Sequence, residues 1–295
     1  MPCKNAPLSS ESARRPVPSG HNPSKKTQLG KTKKEELKMK EYLKTYLEQA
    51  KVGDLQTFAN LSMIPLVSTY KDDLDYMLLD EALEKDLITI TELDDNGSVP
   101  ELKVLNRSEG MVLILDGEEL VGAKQNRIVN TTILLASASK TVIPVSCVEQ
   151  GRWSQTTEAF KTEKRMSPSF MRRNKSEQVF FCLKETKQFR SDQGALWDEI
   201  SVRQARAGVR SRTGEMAAIY RSKKDNLKAY IDKIKAVNEQ TGAIFLINGK
   251  VAGLEAFGRH EILAKVFPKL VESYAVDAMD CDSRDNQERI AMDQV

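Results

Sequence analysis

The stretch ELKVLNRSEGMVLILDGEELVGAKQNRIVNTTILLASASKTVIPVSCV, Glu101 to Val148, reads as β structure from end to end. Five runs carry the pattern: Glu101–Asn106, Met111–Leu115, Glu118–Gly122, Arg127–Ala136 and Thr141–Val148. Each is short and most are rich in Val, Ile, Leu or Thr, which suit a pleated, half-buried surface. Arg107-Ser108-Glu109-Gly110, Asp116-Gly117 and the segment Ser137 to Lys140 break them as turns. No helix-length segment intervenes, which argues against a parallel sheet built on crossovers. The fold class is therefore read as α+β. An antiparallel β-sandwich or jelly-roll-like half, about residues 55–153, packs with a helical half, about 154–278.

Outward from this block the texture changes in both directions. Upstream, Ile88-Thr89-Ile90-Thr91 begins a strand, Leu78 to Lys85 reads as a short helix, and Phe58 to Val67 is apolar and β-prone around Pro65. Met39, Tyr42, Leu43, Tyr46, Leu47 and Ala50 recur at helical spacing, so 33–54 is read as an N-terminal helix. Residues 1–32 hold five of the ten prolines and no apolar periodicity, and are read as a disordered basic leader. Downstream, 154–178 is polar and reads as a loop, and Val179–Leu183 as a short strand. Ser191-Asp192 caps a helix to about Ala207, and a longer helix runs from about Gly214 to Val237. Ala243–Ile247 and Val251–Ala256 flank Asn248-Gly249, a strong hairpin signal. A last helix spans about His260 to Ala275, and the acidic end, 279–295, is expected to fray. The segment 55–278 is treated as a single domain.

Composition removes whole classes of function. The longest unbroken apolar stretches, among them Met111 to Leu115 and Ala243 to Ile247, are far short of the ~20 residues that span a bilayer. With no apolar signal core, a cytoplasmic location and no membrane partner are expected. Cys3, Cys147, Cys182 and Cys281 form no CxxC pair, and the only histidines are His21 and His260. A metal site is not expected, no cofactor is indicated, and Ser-His-Asp chemistry is hard to build. The net charge of +3 is unevenly spread: residues 1–40 hold ten Lys/Arg against three Glu, which leaves the remainder at −4. The basic leader gives only a weak case for nucleic acid, since no nucleic-acid motif accompanies it.

Two runs carry chemistry: GEELVGAKQNRIVN, Gly117 to Asn130, and VSCVEQGRW, Val145 to Trp153. Lys124, Gln125, Asn126 and Arg127 form a block of long donors at a turn between strands. The cations suit an anionic ligand and the amides a polar planar one. In the second run Cys147 and Glu149 share a strand face, and Gly151 permits a sharp change of direction that presents Arg152 and Trp153. Arg152 suits a phosphate or carboxylate, and Trp153 a base or the core. Glu149 is the candidate general base, with Glu118 or Glu119 as its partner in a paired-carboxylate arrangement. Cys147 is a weak candidate nucleophile with no local histidine, better read as a small buried hydrophobe.

Together these runs resemble the ARG (ADP-ribosylglycohydrolase) and rhodanese-phosphatase-superfamily-associated protein domain family. Its pattern stands here as Gly117 to Arg127 and Pro144 to Trp153. Further matches are Glu92 with Gly97-Ser98-Val99-Pro100, Ser191-Asp192-Gln193 with Trp197, and Ser273-Tyr274-Ala275. The resemblance covers about residues 55–278 and implies a link to NAD-derived or ADP-ribose metabolism. Two readings follow. The chain is an enzyme on an ADP-ribose-like or other nucleotide-derived phosphate ligand, or a non-catalytic module that senses such a ligand or a protein partner with the same residues. Either way Trp153 is expected to touch the Lys124–Arg127 block.

Overall fold

The computed structural model describes residues 40–292 except 72, 95–96 and 98–99, with side chains described as far as Cys281. The basic leader therefore lies outside the described residues. A helix at 40–49 (α1) precedes β1 (Lys51–Val52), β2 (Gln56–Phe58), β3 (Leu61–Val67), β4 (Tyr76–Leu78), α2 (Leu79–Glu84) and β5 (Ile88–Glu92). The β-rich stretch supplies β6 (Glu101–Asn106), β7 (Met111–Ile114), β8 (Glu118–Val121), β9 (Arg127–Val129), β10 (Ile133–Leu135) and β11 (Ser139–Cys147). Then follow β12 (Lys161–Met166), α3 (Ser169–Thr186), α4 (Gln193–Arg206), α5 (Ala217–Ser222) and α6 (Lys224–Lys233). The chain closes with β13 (Gln240–Ile247), β14 (Lys250–Ala256) and α7 (His260–Met292).

The strands form several antiparallel sheets. Six run in the order β12-β8-β9-β11-β6-β5 and curl into a half-barrel. The curl sits within β11, whose residues Ser139–Pro144 pair with β6 while Val145–Cys147 pair with β9. Pro144 lies at the changeover, where a residue without an N–H costs no ladder hydrogen bond. A second sheet runs β1-β3-β13-β14 with β2 beside β3, and a third runs β10-β7-β4. In the third, β4 pairs parallel to β7, the one exception to the antiparallel expectation among the named strands. The expected antiparallel sheets are present, whereas a jelly-roll sandwich is not established by strands that curl in this way.

The half-barrel separates two cores. Directly opposed residues share a sheet face, so Leu120, Arg127 and Cys147 point one way, and Glu119, Ile128 and Ser146 the other. Leu120, Val129 and Val145 pack inside the half-barrel with Ile90, Leu102 and Val104. Ile128 and Val148 face the larger core, made with α4 to α7 and the β3–β13 sheet. The expected hairpin stands: Asn248 and Gly249 both take positive φ, 50° and 73°, as a tight two-residue turn demands.

Several elements differ from expectation, for physical reasons. Val179–Leu183 lies inside α3, whose buried face is Met171, Lys175, Val179 and Cys182 while Phe180 and Phe181 are exposed. The polar stretch 154–178 holds β12 and the start of α3 rather than a single loop. The long helix expected from Gly214 is two, divided at Lys223. In α1 only Tyr46 is buried, edge-on to Tyr70; Tyr42, Leu43 and Leu47 face solvent. α7 passes through Pro268 and continues to Met292, through much of the segment expected to fray.

Candidate functional site

The two chemistry-bearing runs meet at one end of the half-barrel. β9 begins with Arg127, β11 ends with Cys147, and Glu92 ends β5; all three sit at this mouth. Arg127 is fully buried. Its Nη1 donates to Gln125 Oε1 at 2.9 Å, and its Nη2 lies 3.8 Å from Glu92 Oε1. Nε and Nη2 find no hydrogen-bond acceptor among the described residues, and neither does Glu92 Oε2 find a donor. Trp153 is half exposed and covers the mouth, its ring centroid 5.7 Å from both Lys124 Nζ and Arg127 Cζ. These are cation–π distances, and they put Trp153 against the Lys124–Arg127 block rather than in the core.

Arg152 has a different task. Its Nε donates to Glu149 Oε2 at 2.9 Å, its Nη1 to Ala123 O at 2.7 Å and Ser154 O at 3.1 Å, and its Nη2 to Asn126 Oδ1 at 3.0 Å. The guanidinium is a clasp that ties the turn 122–126 to the end of β11. Every nitrogen of it is engaged by the protein. Glu149 is the other half of the clasp: its Oε2 also accepts from Asn126 N at 3.1 Å. Burial alone would push this carboxyl up. Hydrogen bonds from Arg152, Thr213 and the Asn126 amide outweigh that and hold it below the ordinary value.

Gly151 lies in the turn that follows β11 and also serves close approach. Its N–H donates to Thr213 O at 2.7 Å, and a Cβ there would sit 3.0 Å from Thr213 Cα.

The candidate carboxylates face different surroundings. Glu118, on the inner face of β8, is bound by Lys269, which also reaches Asp80 at 2.7 Å. Burial works against that ammonium, but the two carboxylates keep it protonated. Glu119, on the outer face, accepts from Arg165 at 3.2 Å and is fully buried; burial pushes its carboxyl up to about 7 against the pull of Arg165. The structure thus gives Glu149, Glu118 and Glu119 three separate cationic partners.

Cys147 is buried and donates to Gln125 Oε1 at 2.9 Å. Burial raises its thiol to about 11 in spite of the nearby Arg127. A thiol so far from its ionised form is a poor nucleophile. Native protein at pH 8 is therefore expected to resist iodoacetamide at Cys147, as read by mass spectrometry; rapid modification there would show a more accessible thiolate than the geometry allows.

Sequence reasoning linked Ser191-Asp192-Gln193 to the two runs only by resemblance, and the contacts give the cause. Gln193 accepts from Cys147 N and donates to Cys147 O, each at 2.8 Å, completing the edge of β11 like a neighbouring strand. Ser191 Oγ meets Ser146 Oγ at 2.6 Å, and Asp192 caps α4 through Ala195 N. The motifs are one connected unit, and the family model of the ARG and Rhodanese-Phosphatase-superfamily-associated Protein domain matches residues 49–295. The chain belongs to this family. No curated protein and no solved structure matches it. Among the described residues no group of three His, Cys, Asp or Glu could hold a metal ion, and no helix is long and apolar enough to cross a membrane.

Proposed function

We propose that this member of the family is a binding module for a phosphate-bearing, nucleotide-derived ligand of the ADP-ribose type, taken at the half-barrel mouth. The observation that carries the reading is Arg127, fully buried with two nitrogens that meet no acceptor among the described residues. An unsatisfied buried donor costs about 1–3 kcal/mol, so it persists where a ligand or water completes it. Trp153 offers a half-exposed ring beside two cations, which suits a base next to a phosphate. The family's name, which associates it with ADP-ribosylglycohydrolases, agrees with such a ligand.

Binding is favoured over catalysis by the state of Glu149. A general base works best with a pKa near the working pH, whereas Glu149 is held low and committed to Arg152. The enzyme reading draws instead on Glu119, whose carboxyl near 7 suits proton transfer. Its side chain, however, leaves β8 on the face opposite Arg127.

A thermal-shift series with ADP-ribose, NAD, AMP and inorganic phosphate tests the proposal. The nucleotides are expected to raise the melting temperature, by an amount equivalent to about 2.7 kcal/mol at 100 times Kd. Chromatography of the ligand after incubation should show it unchanged; turnover would favour the enzyme reading. No shift with any phosphate-bearing nucleotide would end both.

A further inference from the structure

We propose a second binding site, for the vicinal diol of a single sugar ring, in the cleft where β14 and α3 meet the β10-β7-β4 sheet. It shares no residue with the half-barrel mouth and does not rest on the function proposed there. The cleft has two lobes of about 370 and 320 Å³ that share Asp116, Arg172 and Glu255. The larger lobe is at the lower end of ligand-pocket sizes, enough for one ring.

The polar groups of the cleft are only partly used. Glu255 Oε1 accepts from Arg172 Nη2 at 2.6 Å and from Tyr274 Oη at 2.9 Å, while its Oε2 has no donor among the described residues. Arg172 spends Nη2 on that carboxylate, and its buried Nε has no acceptor among the described residues. Asp116 is held by Lys175 and Ser176. The fully buried Ser167 Oγ, which also has no partner among the described residues, lies behind Gly117. Gly117 makes the arrangement possible. Its φ is +82°, and a Cβ would fall 2.8 Å from both Arg172 Cδ and Ser167 Oγ. Any other residue at 117 would push Arg172 from its place.

The donor and acceptor set selects the ligand class. A phosphate or carboxylate would accept from Arg172, but its charge would lie beside the carboxylates of Glu255 and Asp116. A pair of adjacent hydroxyls does both jobs, one accepting from Arg172 while the other donates to Glu255. The wall of Tyr76, Leu113 and Phe257 offers an apolar surface to the C–H face of a sugar ring.

Amide NMR titrations of the whole protein test this with D-ribose, 2-deoxy-D-ribose and inorganic phosphate. Ribose should shift the Phe257 and Gly258 signals saturably, with 2-deoxyribose at least tenfold weaker and phosphate inert there. Glu255→Gln should weaken ribose at least tenfold with unchanged circular dichroism. Should that variant fail to fold, Thr132→Trp, at an exposed rim position, should abolish the shifts by filling the lobe. Equal binding of 2-deoxyribose, a stronger response to phosphate at these amides, or no saturable shift would each overturn the diol site.

Discussion

Arg152→Ala is expected to lower stability by about 3–5 kcal/mol, the cost of leaving a buried charge without its partner. Glu149 would keep only the Asn126 amide and Thr213, with its side chain 5% exposed. The backbone carbonyls of Gly122 and Ser154 would lose the Arg152 donor as well, and Ala123 O would keep only its bonds from Thr156. Arg152→Lys should recover little, because one ammonium cannot reach acceptors that a planar fork serves in several directions. Urea melts should show a lower midpoint with an unchanged slope.

The pH dependence adds a second check. Glu149 has a lowered pKa in the folded protein, so the stability it brings is fully present above the ordinary value of 4.5 and is lost as pH falls through the folded value. The gap between wild type and Arg152→Ala should therefore be widest near neutrality and narrow below about pH 4.5. A loss under 1 kcal/mol, or a gap that ignores pH, would show that the clasp is not what holds the turn.

How much of this was legible in the sequence follows from where each residue's partners lie. Strands β5 to β8 and β11 were legible because alternation and turn chemistry are local, and the Asn248-Gly249 hairpin for the same reason. The run Arg127–Ala136, read as one strand, is β9 and β10 in two different sheets, a break that depends on their separate partners. α3 was not, because Lys175 occupies its buried face while Phe180 and Phe181 stand in solvent. A charge inside and two rings outside erase the helical period that pattern reading depends on. The Lys124–Arg127 block and Trp153 were legible as neighbours because both runs sit at strand ends of one short β-rich stretch, in which β9 pairs with β11. The division of labour between the two arginines was not, since it depends on carbonyls and amides whose directions no residue type announces. The Asp116, Arg172, Glu255 and Tyr274 cleft was invisible for another reason: its members come from four distant segments, and only Tyr274 falls within a matched motif.

Arg127→Met should have the opposite signature to Arg152→Ala. Arg127 lies deeper, yet two of its nitrogens face no acceptor among the described residues and its carboxylate neighbour stands off at 3.8 Å. Replacing a whole buried ion pair by apolar groups is commonly neutral or stabilising by about 1–4 kcal/mol, whereas stripping one partner from a tight pair costs about 3–5 kcal/mol. With this pair standing at 3.8 Å, the single exchange should cost far less than the tight case. Methionine would keep the packing against Trp153. Gln125 Oε1 would still receive the Cys147 thiol at 2.9 Å. Glu92 would lose its cation but, at 11% side-chain exposure, retains some contact with water and the Lys124 amide at 3.4 Å. Melting temperature should change little. If Arg127 meets the ligand's phosphate, affinity should fall about 10- to 150-fold, the worth of a charge-assisted hydrogen bond of roughly 1.5–3 kcal/mol. Calorimetric titration with ADP-ribose beside a thermal melt reads both effects on one sample. A marked loss of stability would place Arg127 with Arg152 as scaffold, and undiminished binding would move the ligand elsewhere. Stability kept while affinity collapses is the outcome expected of a residue retained for its ligand, because the fold is then no better for having it.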